Sequence, residues 1–140
     1  MMILPRHRHV LWPFLFPCLG VTAAAAQAAE VSVRAGQDVV LASYYEIRPV
    51  DCLPLQAPRV RITAAPRLGK ATVVRIQHQA VAAGGRCGTL AVPVAQVHYR
   101  AGQPGVDAVD WEVRYQARGV GPAQESARLR ILPAPSAAPR

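Results

Sequence analysis

The sequence predicts an all-β protein, an antiparallel two-sheet sandwich of about seven strands behind an export leader. Three observations carry that prediction. Apolar and polar residues alternate with period two in one segment after another, and no helical period competes with it. The 140 residues include 13 Pro and 10 Gly, a turn-rich inventory that argues against a helical bundle. The chain is 51% hydrophobic and 17% charged, too apolar for wholesale disorder. At this length it makes one domain at most.

The first segment reads as an address. Arg6, His7, Arg8 and His9 make a basic start, Val10 to Val21 is an apolar run, and Ala26-Gln27-Ala28 is a small-x-small cleavage site. Residues 1–28 therefore read as a secretory signal peptide. A retained anchor fits less well, because Val10 to Ala26 is 17 residues long and holds Pro13 and Pro17, short of the ~20 apolar residues a span needs. Cys18 has Leu15 three positions before it but follows Phe16 and Pro17, which argues against lipidation. No adjacent Arg pair precedes the apolar run. No second apolar segment follows, so the mature chain is expected to lack a transmembrane segment and to be periplasmic or secreted. Cleavage removes two of the 16 cations and none of the 8 anions, leaving 112 residues at +6.

Strands are expected near 31–33, 38–45, 58–64, 71–78, 92–100, 107–116 and 124–132, all pairing antiparallel. Val109, Trp111, Val113 and Tyr115 alternate with Asp110, Glu112, Arg114 and Gln116, the cleanest pattern in the chain. Val60 and Ile62 alternate with Arg59 and Arg61; Ala127, Leu129 and Ile131 alternate with Arg128 and Arg130. Thr72, Val74 and Ile76 alternate with Val73, Arg75 and Gln77. Half-polar strands of this kind suit antiparallel sheets with one face in water. Turn residues punctuate them: Ala35-Gly36-Gln37, Pro49, Pro54 and Pro58 in the stretch from Arg48 to Pro58, Pro66 to Gly69, Gly84-Gly85, Gly102 to Gly105, and Gly119 to Pro122. The sandwich is expected over 30–132, with 133–140 a disordered Pro/Ala tail.

Two blocks are familiar. Ile62-Thr-Ala-Ala-Pro66-Arg-Leu-Gly69-Lys-Ala71 is similar to the "I-T-x-x-P-x-x-G-x-V" hairpin of bacterial cadherin-like, immunoglobulin-like tandem repeats. Tyr99 followed by Gly105-Val-Asp107-Ala-Val109-Asp-Trp111-Glu-Val113 is similar to their "Y…G-x-D-x-F-x-Y-x-V" ending. The blocks occur in the same order and at a like separation. The resemblance implies an immunoglobulin-like sandwich in a single, exported copy. The acidic clusters that ligate calcium between such repeats are missing. Asp107 and Asp110 are a close pair with Glu112 next, and Asp107 is expected to cap a turn rather than hold a metal.

Removing the leader leaves two cysteines, Cys52 and Cys87, 35 residues apart. An even pair in an exported chain is expected to be a disulfide. No C-x-x-C and no neighbouring His completes a metal site, so neither metal nor cofactor is expected.

Catalytic constellations are missing from the sequence. His78 and His98 sit singly in strand patterns. Ser32, Ser43, Ser126 and Ser136 lie in no G-x-S-x-G turn. Gly84-Gly85 opens no helix and precedes no Lys, unlike a phosphate loop. Trp111 and Tyr99 are expected to face the core, while one of the adjacent Tyr44 and Tyr45 must point outward. The expectation is a non-catalytic binding or structural module of the cell envelope; the alternative is a small periplasmic enzyme or enzyme inhibitor. The hint of a partner is arginine. Lys70 is the single Lys among 16 cations, and Arg59, Arg61, Arg75, Arg114, Arg128 and Arg130 take the polar phase of their strands. On neighbouring strands they would form a stripe for an anionic envelope component or another envelope protein. On the other reading they are ordinary solvated surface whose Arg-for-Lys bias reflects genome composition. Nucleic acid is a poor partner for an exported chain.

Overall fold

The computed structural model describes residues 29–82 and 84–137. The expected signal peptide and the last three tail positions lie outside the described residues. Nine strands follow in order: β1 (Ala29–Arg34), β2 (Asp38–Tyr44), β3 (Ile47–Arg48), β4 (Leu53–Pro54), β5 (Arg59–Ala64), β6 (Gly69–Val81), β7 (Thr89–Ala101), β8 (Gly105–Arg114) and β9 (Ala123–Leu132). They build a four-stranded sheet in the order β1-β9-β8-β5, a three-stranded sheet β2-β7-β6, and the two-stranded β3-β4. The protein is all-β and sandwich-like, with no helix among the described residues. No helix among them is long and apolar enough to cross a membrane.

Alternation sorts the side chains. Val109, Trp111 and Val113 of β8 and Ala127, Leu129 and Ile131 of β9 are buried. Val97, Tyr99 and Ala101 of β7 meet them from the other sheet in one core cluster. The Trp111 indole donates to the Tyr44 hydroxyl at 2.7 Å, tying β8 to β2 across the layers. Tyr45, its chain neighbour, points out and donates to the Val81 carbonyl at 3.1 Å.

Four features depart from the sequence expectations. β1 pairs with β9 in parallel, not antiparallel, with Val31 opposite Leu129 and Val33 opposite Ile131. The chain crosses to the other sheet right after β1, so β1 extends the edge beside the last strand instead of forming a hairpin with β2. The Pro66–Gly69 connection likewise joins strands of different sheets and is no hairpin. β6 and β7 are longer than the alternation implied, 13 residues each, paired without a break from Gly69↔Ala101 to Val81↔Thr89. Pro93 is tolerated in β7 because β2 borders that strand only along Ala95–Arg100, leaving an open edge on its other side. Finally, the proline-rich stretch after residue 45 contains the small β3-β4 pair.

That small pair has a purpose in the packing. The far half of the β6-β7 hairpin overhangs the sandwich, and its outer face would be bare. Ala80, Val92 and Val94 are buried there in a second cluster, packed by Ile47 and Leu90. The Cys52–Cys87 disulfide pins the cover in place, joining the β3-β4 turn to the β6-β7 connection with a Cα–Cα distance of 5.3 Å.

The other end of the sandwich is organised by a buried carboxylate. Asp107 Oδ1 accepts from the backbone N–H of Arg67 at 2.8 Å and of Ala108 at 3.0 Å. Oδ2 accepts from the Leu68 N–H at 2.9 Å and the Tyr99 hydroxyl at 2.7 Å. Asp107 is therefore the turn clamp expected of it, but for a turn 40 residues away. Glycine makes the approach feasible: a Cβ on Gly69 would strike the Tyr99 hydroxyl and the Arg100 carbonyl, and one on Gly102 the Leu68 carbonyl. Burial opposes ionisation of Asp107, yet the bonds from Arg67, Tyr99, Leu68 and Ala108 outweigh it and hold the carboxyl below its ordinary value. Burial, and then the bond to Asp107, push the Tyr99 hydroxyl up.

A carboxyl with a lowered folded pKa stabilises the fold above its unfolded value and loses that contribution as pH falls through the folded one. Thermal melts should therefore show stability declining below pH ~4. Asp107→Ala, which orphans three backbone donors and a hydroxyl, should cost about 3 kcal/mol and lower Tm by roughly 10 °C or more. Replacing both Cys52 and Cys87 by Ala should cost about 4 kcal/mol at this loop length. Limited proteolysis should then open the double variant first in the 47–55 and 82–88 segments.

Candidate anion-binding cleft

The structure divides the six arginines. Arg59 and Arg61 on β5, Arg114 on β8, and Arg128 and Arg130 on β9 all take the outward phase of the four-stranded sheet. They do not form one stripe. Arg59 stands opposite Arg114, and Arg61 opposite Glu112. Arg128 pairs with Ala108 and Arg130 with Val106, at the other end of β8. Six residues of strand separate Ala108 from Arg114, about 20 Å, well beyond the ~8 Å over which charges couple in physiological salt. Arg130 is also engaged, its Nε 3.2 Å from Glu30 Oε1.

Arg75 departs from expectation. It lies on the inward phase of β6 with Ala71 and Val73, which oppose the buried Tyr99 and Val97. Val73 and Val74 are both apolar, so the alternation there does not fix the phase. At Arg75 the inward face has run past the core and opens at the side of the sandwich. Arg75 therefore meets Arg59 and Arg114, from the other sheet, in a cleft of about 480 Å³ that Gln56 and Gln116 also line.

The cleft is built by contacts that the sequence does not announce. Glu46 fixes the Gln116 wall from behind: Oε2 accepts from the Gln116 N–H at 2.8 Å and Oε1 from the Ala117 N–H at 3.1 Å. The Gln116 side chain donates to the Gln56 carbonyl at 3.1 Å, joining the segment after β8 to the one before β5. These partners are 60 and 70 residues apart, and nothing in their local sequence marks them.

Glu112 balances the cluster. It lies on the outward phase of β8 but is buried, because long side chains close over it. Oε1 accepts from Arg114 Nε at 2.6 Å, Oε2 from the Gln124 amide at 2.9 Å, and Arg61 stands 3.9 Å away. The Arg114 bond is the main reason its carboxyl sits below the ordinary value, against an opposing penalty from burial. Among the described residues Arg59 and Arg75 make no ion pair. Two like charges directly opposed on neighbouring strands, Arg59 and Arg114, disfavour the sheet, a repulsion that an anion bound between them would relieve.

A second concavity of about 580 Å³ lies near Tyr45, Ile47, Leu55 and Arg118. Its acid, Glu46, is already spent on backbone donors, and Arg48 on Asp51. The histidines stay apart from both. His98 Nε2 is bonded to Gln96 Oε1 at 2.9 Å on the outer face of the three-stranded sheet, and His78 is exposed. Among the described residues no three His, Cys, Asp or Glu side chains gather to hold a metal ion.

No family model matches the chain, and no curated protein does. One solved structure, the solution structure of amebosin, aligns at 10% identity over 74% of this chain and 88% of that one, with a TM-score of 0.46. A likeness of that size carries no argument about fold or function.

Removing the balancing acid should expose the repulsion it masks. Glu112→Gln should lower Tm most in low salt, and the deficit should shrink as salt is raised to about 0.5 M. In the wild type the same contribution should fade as pH falls below the ordinary glutamate value near 4.5, because the folded carboxyl titrates lower still.

Proposed function

We propose that this protein is an exported, non-catalytic, immunoglobulin-like module of the cell envelope that binds anionic envelope material. The carrying observation is the convergence of Arg59, Arg75 and Arg114 on one cleft of the sandwich. The disulfide supports the exported setting, since such bonds persist in oxidising compartments. The strand order supports the immunoglobulin-like assignment: the first strand lies parallel to the last in one sheet, with β2, β7 and β6 in the other. The fold also accounts for the familiar blocks, since Asp107 of the second clamps the Arg67–Leu68 turn of the first. Binding through arginine suits carboxylate and phosphate, which the guanidinium can grip with two parallel hydrogen bonds.

The test is retention of the exported protein on cell-wall sacculi and on anionic and neutral liposomes across a salt series. Binding should prefer the anionic surfaces and weaken steeply as salt rises. Equal retention on neutral and anionic surfaces, or no response to salt, overturns the reading.

A further inference from the structure

We propose that the cleft between the start of β5, the middle of β6 and the end of β8 is a phosphate-monoester site, with Arg59 and Arg75 as its grips. The proposal rests on the anion-binding reading and names the group bound. The charge count selects the ligand. Four guanidinium groups, with Arg61 counted beside the Glu112 it shares, and the Glu112 and Glu46 carboxylates leave a formal +2 at and around the cleft. A phosphate monoester carries about −1.5 to −2 at neutral pH, whereas a carboxylate or a phosphodiester carries −1. Arg114 spends its Nε on Glu112, and its terminal nitrogens remain as donors. Arg59 and Arg75, without ion pairs among the described residues, bring complete forks from two different sheets. A ligand oxygen cluster between them would be held from both layers, as neither sheet alone could hold it.

The dimensions point to more than a bare ion. About 480 Å³ falls in the range of small-molecule sites, enough for a phosphate with the sugar or glycerol that carries it. The Gln116 and Gln56 wall offers amide groups to such a carrier's hydroxyls. Glu46 holds the Gln116 backbone and the Gln56 carbonyl holds its side-chain nitrogen, so the Gln116 amide is set in place before binding. A free sugar and a lipid headgroup can both bear the phosphate; the chemistry is shared, and the experiment separates the two.

Calorimetry with the exported protein, at low salt, should show glycerol phosphate binding about ten-fold more tightly than dimethyl phosphate, which carries a single charge. Arg59→Gln/Arg75→Gln should weaken glycerol phosphate about ten-fold or more, while Arg128→Gln/Arg130→Gln should leave it unchanged. Arg59→Lys/Arg75→Lys, which keeps charge and loses the forks, should fall between them and serves if the Gln pair does not fold. Phosphatidylcholine vesicles doped with phosphatidic acid test the lipid source: tighter binding there than to glycerol phosphate places the group on a lipid, and the reverse on a free sugar phosphate. Both results uphold the site. Wild-type affinity in both the Gln and Lys cleft variants, or equal loss in the Arg128/Arg130 variant, overturns it. If retention on anionic sacculi survives that outcome, the cleft assignment falls and the broader anionic reading stands; if glycerol phosphate binds but sacculi do not, the reverse holds.

Discussion

The Asp107 carboxylate is the constraint on which the rest of the sandwich depends. A β-sandwich needs its two sheets held at one spacing and in one register, and apolar packing alone is not directional. Asp107 supplies direction. It binds the turn entering β6, the hydroxyl of Tyr99 at the heart of β7, and its own strand β8. Four donors converge on one charged group inside the protein, where such bonds are strong and an unmade one is costly. The Tyr99 ring is thereby fixed beside Val97, Val109 and Leu129 in the core. Glycine at 69 and 102 follows from the same geometry, since any side chain there would push the turn off its carboxylate.

At the opposite end the chain solves a different problem with different means. The β6-β7 hairpin runs beyond the strands that cover it, and an overhanging hairpin is marginal on its own. The segment between β2 and β5 folds back over Val92 and Val94 and is tied down covalently. Three buried residues make a small cluster, too small to order a proline-rich segment by burial alone, and a covalent tie supplies what a small core lacks. The same overhang turns Arg75 from a core-facing position into a cleft-lining one. The cleft is thus a by-product of strand length: β6 outruns the core, and the first polar side chain past it meets β5.

Electrostatics on the four-stranded sheet follow from pairing. Arg59 opposite Arg114 and Arg61 opposite Glu112 put two cations, Arg61 and Arg114, on one buried acid and leave Arg59 beside them without an ion pair. Glu112 satisfies the sheet only in part, which leaves a local positive excess at the cleft while Arg130 is answered separately by Glu30. An excess localised by topology differs from a uniformly basic surface, because only nearby charges add before salt screens them.

The sequence alone determined the all-β class, the seven longer strands to within a few residues, the core identity of Trp111 and Tyr99, and the disulfide. Each of these is a local or pairwise property: period-two alternation, turn residues between segments, and two cysteines left to find each other. Asp107 as a turn residue was also legible, because short carboxylates favour turns. The tertiary structure decided the rest. Parallel pairing of β1, the crossing at Pro66–Gly69 and the extra length of β6 and β7 depend on which sheet each strand joins, and alternation is blind to that. It could not fix the phase of Arg75 after the adjacent Val73 and Val74, nor show that Arg128 and Arg130 lie about 20 Å or more from Arg114 along the sheet. Glu46, Gln56 and Gln116 carry no local mark at all, since their partners stand 60 and 70 residues away. Proximity of that kind exists only once the chain is folded, and it is what gathers three of the six arginines, Arg59, Arg75 and Arg114, into one cleft.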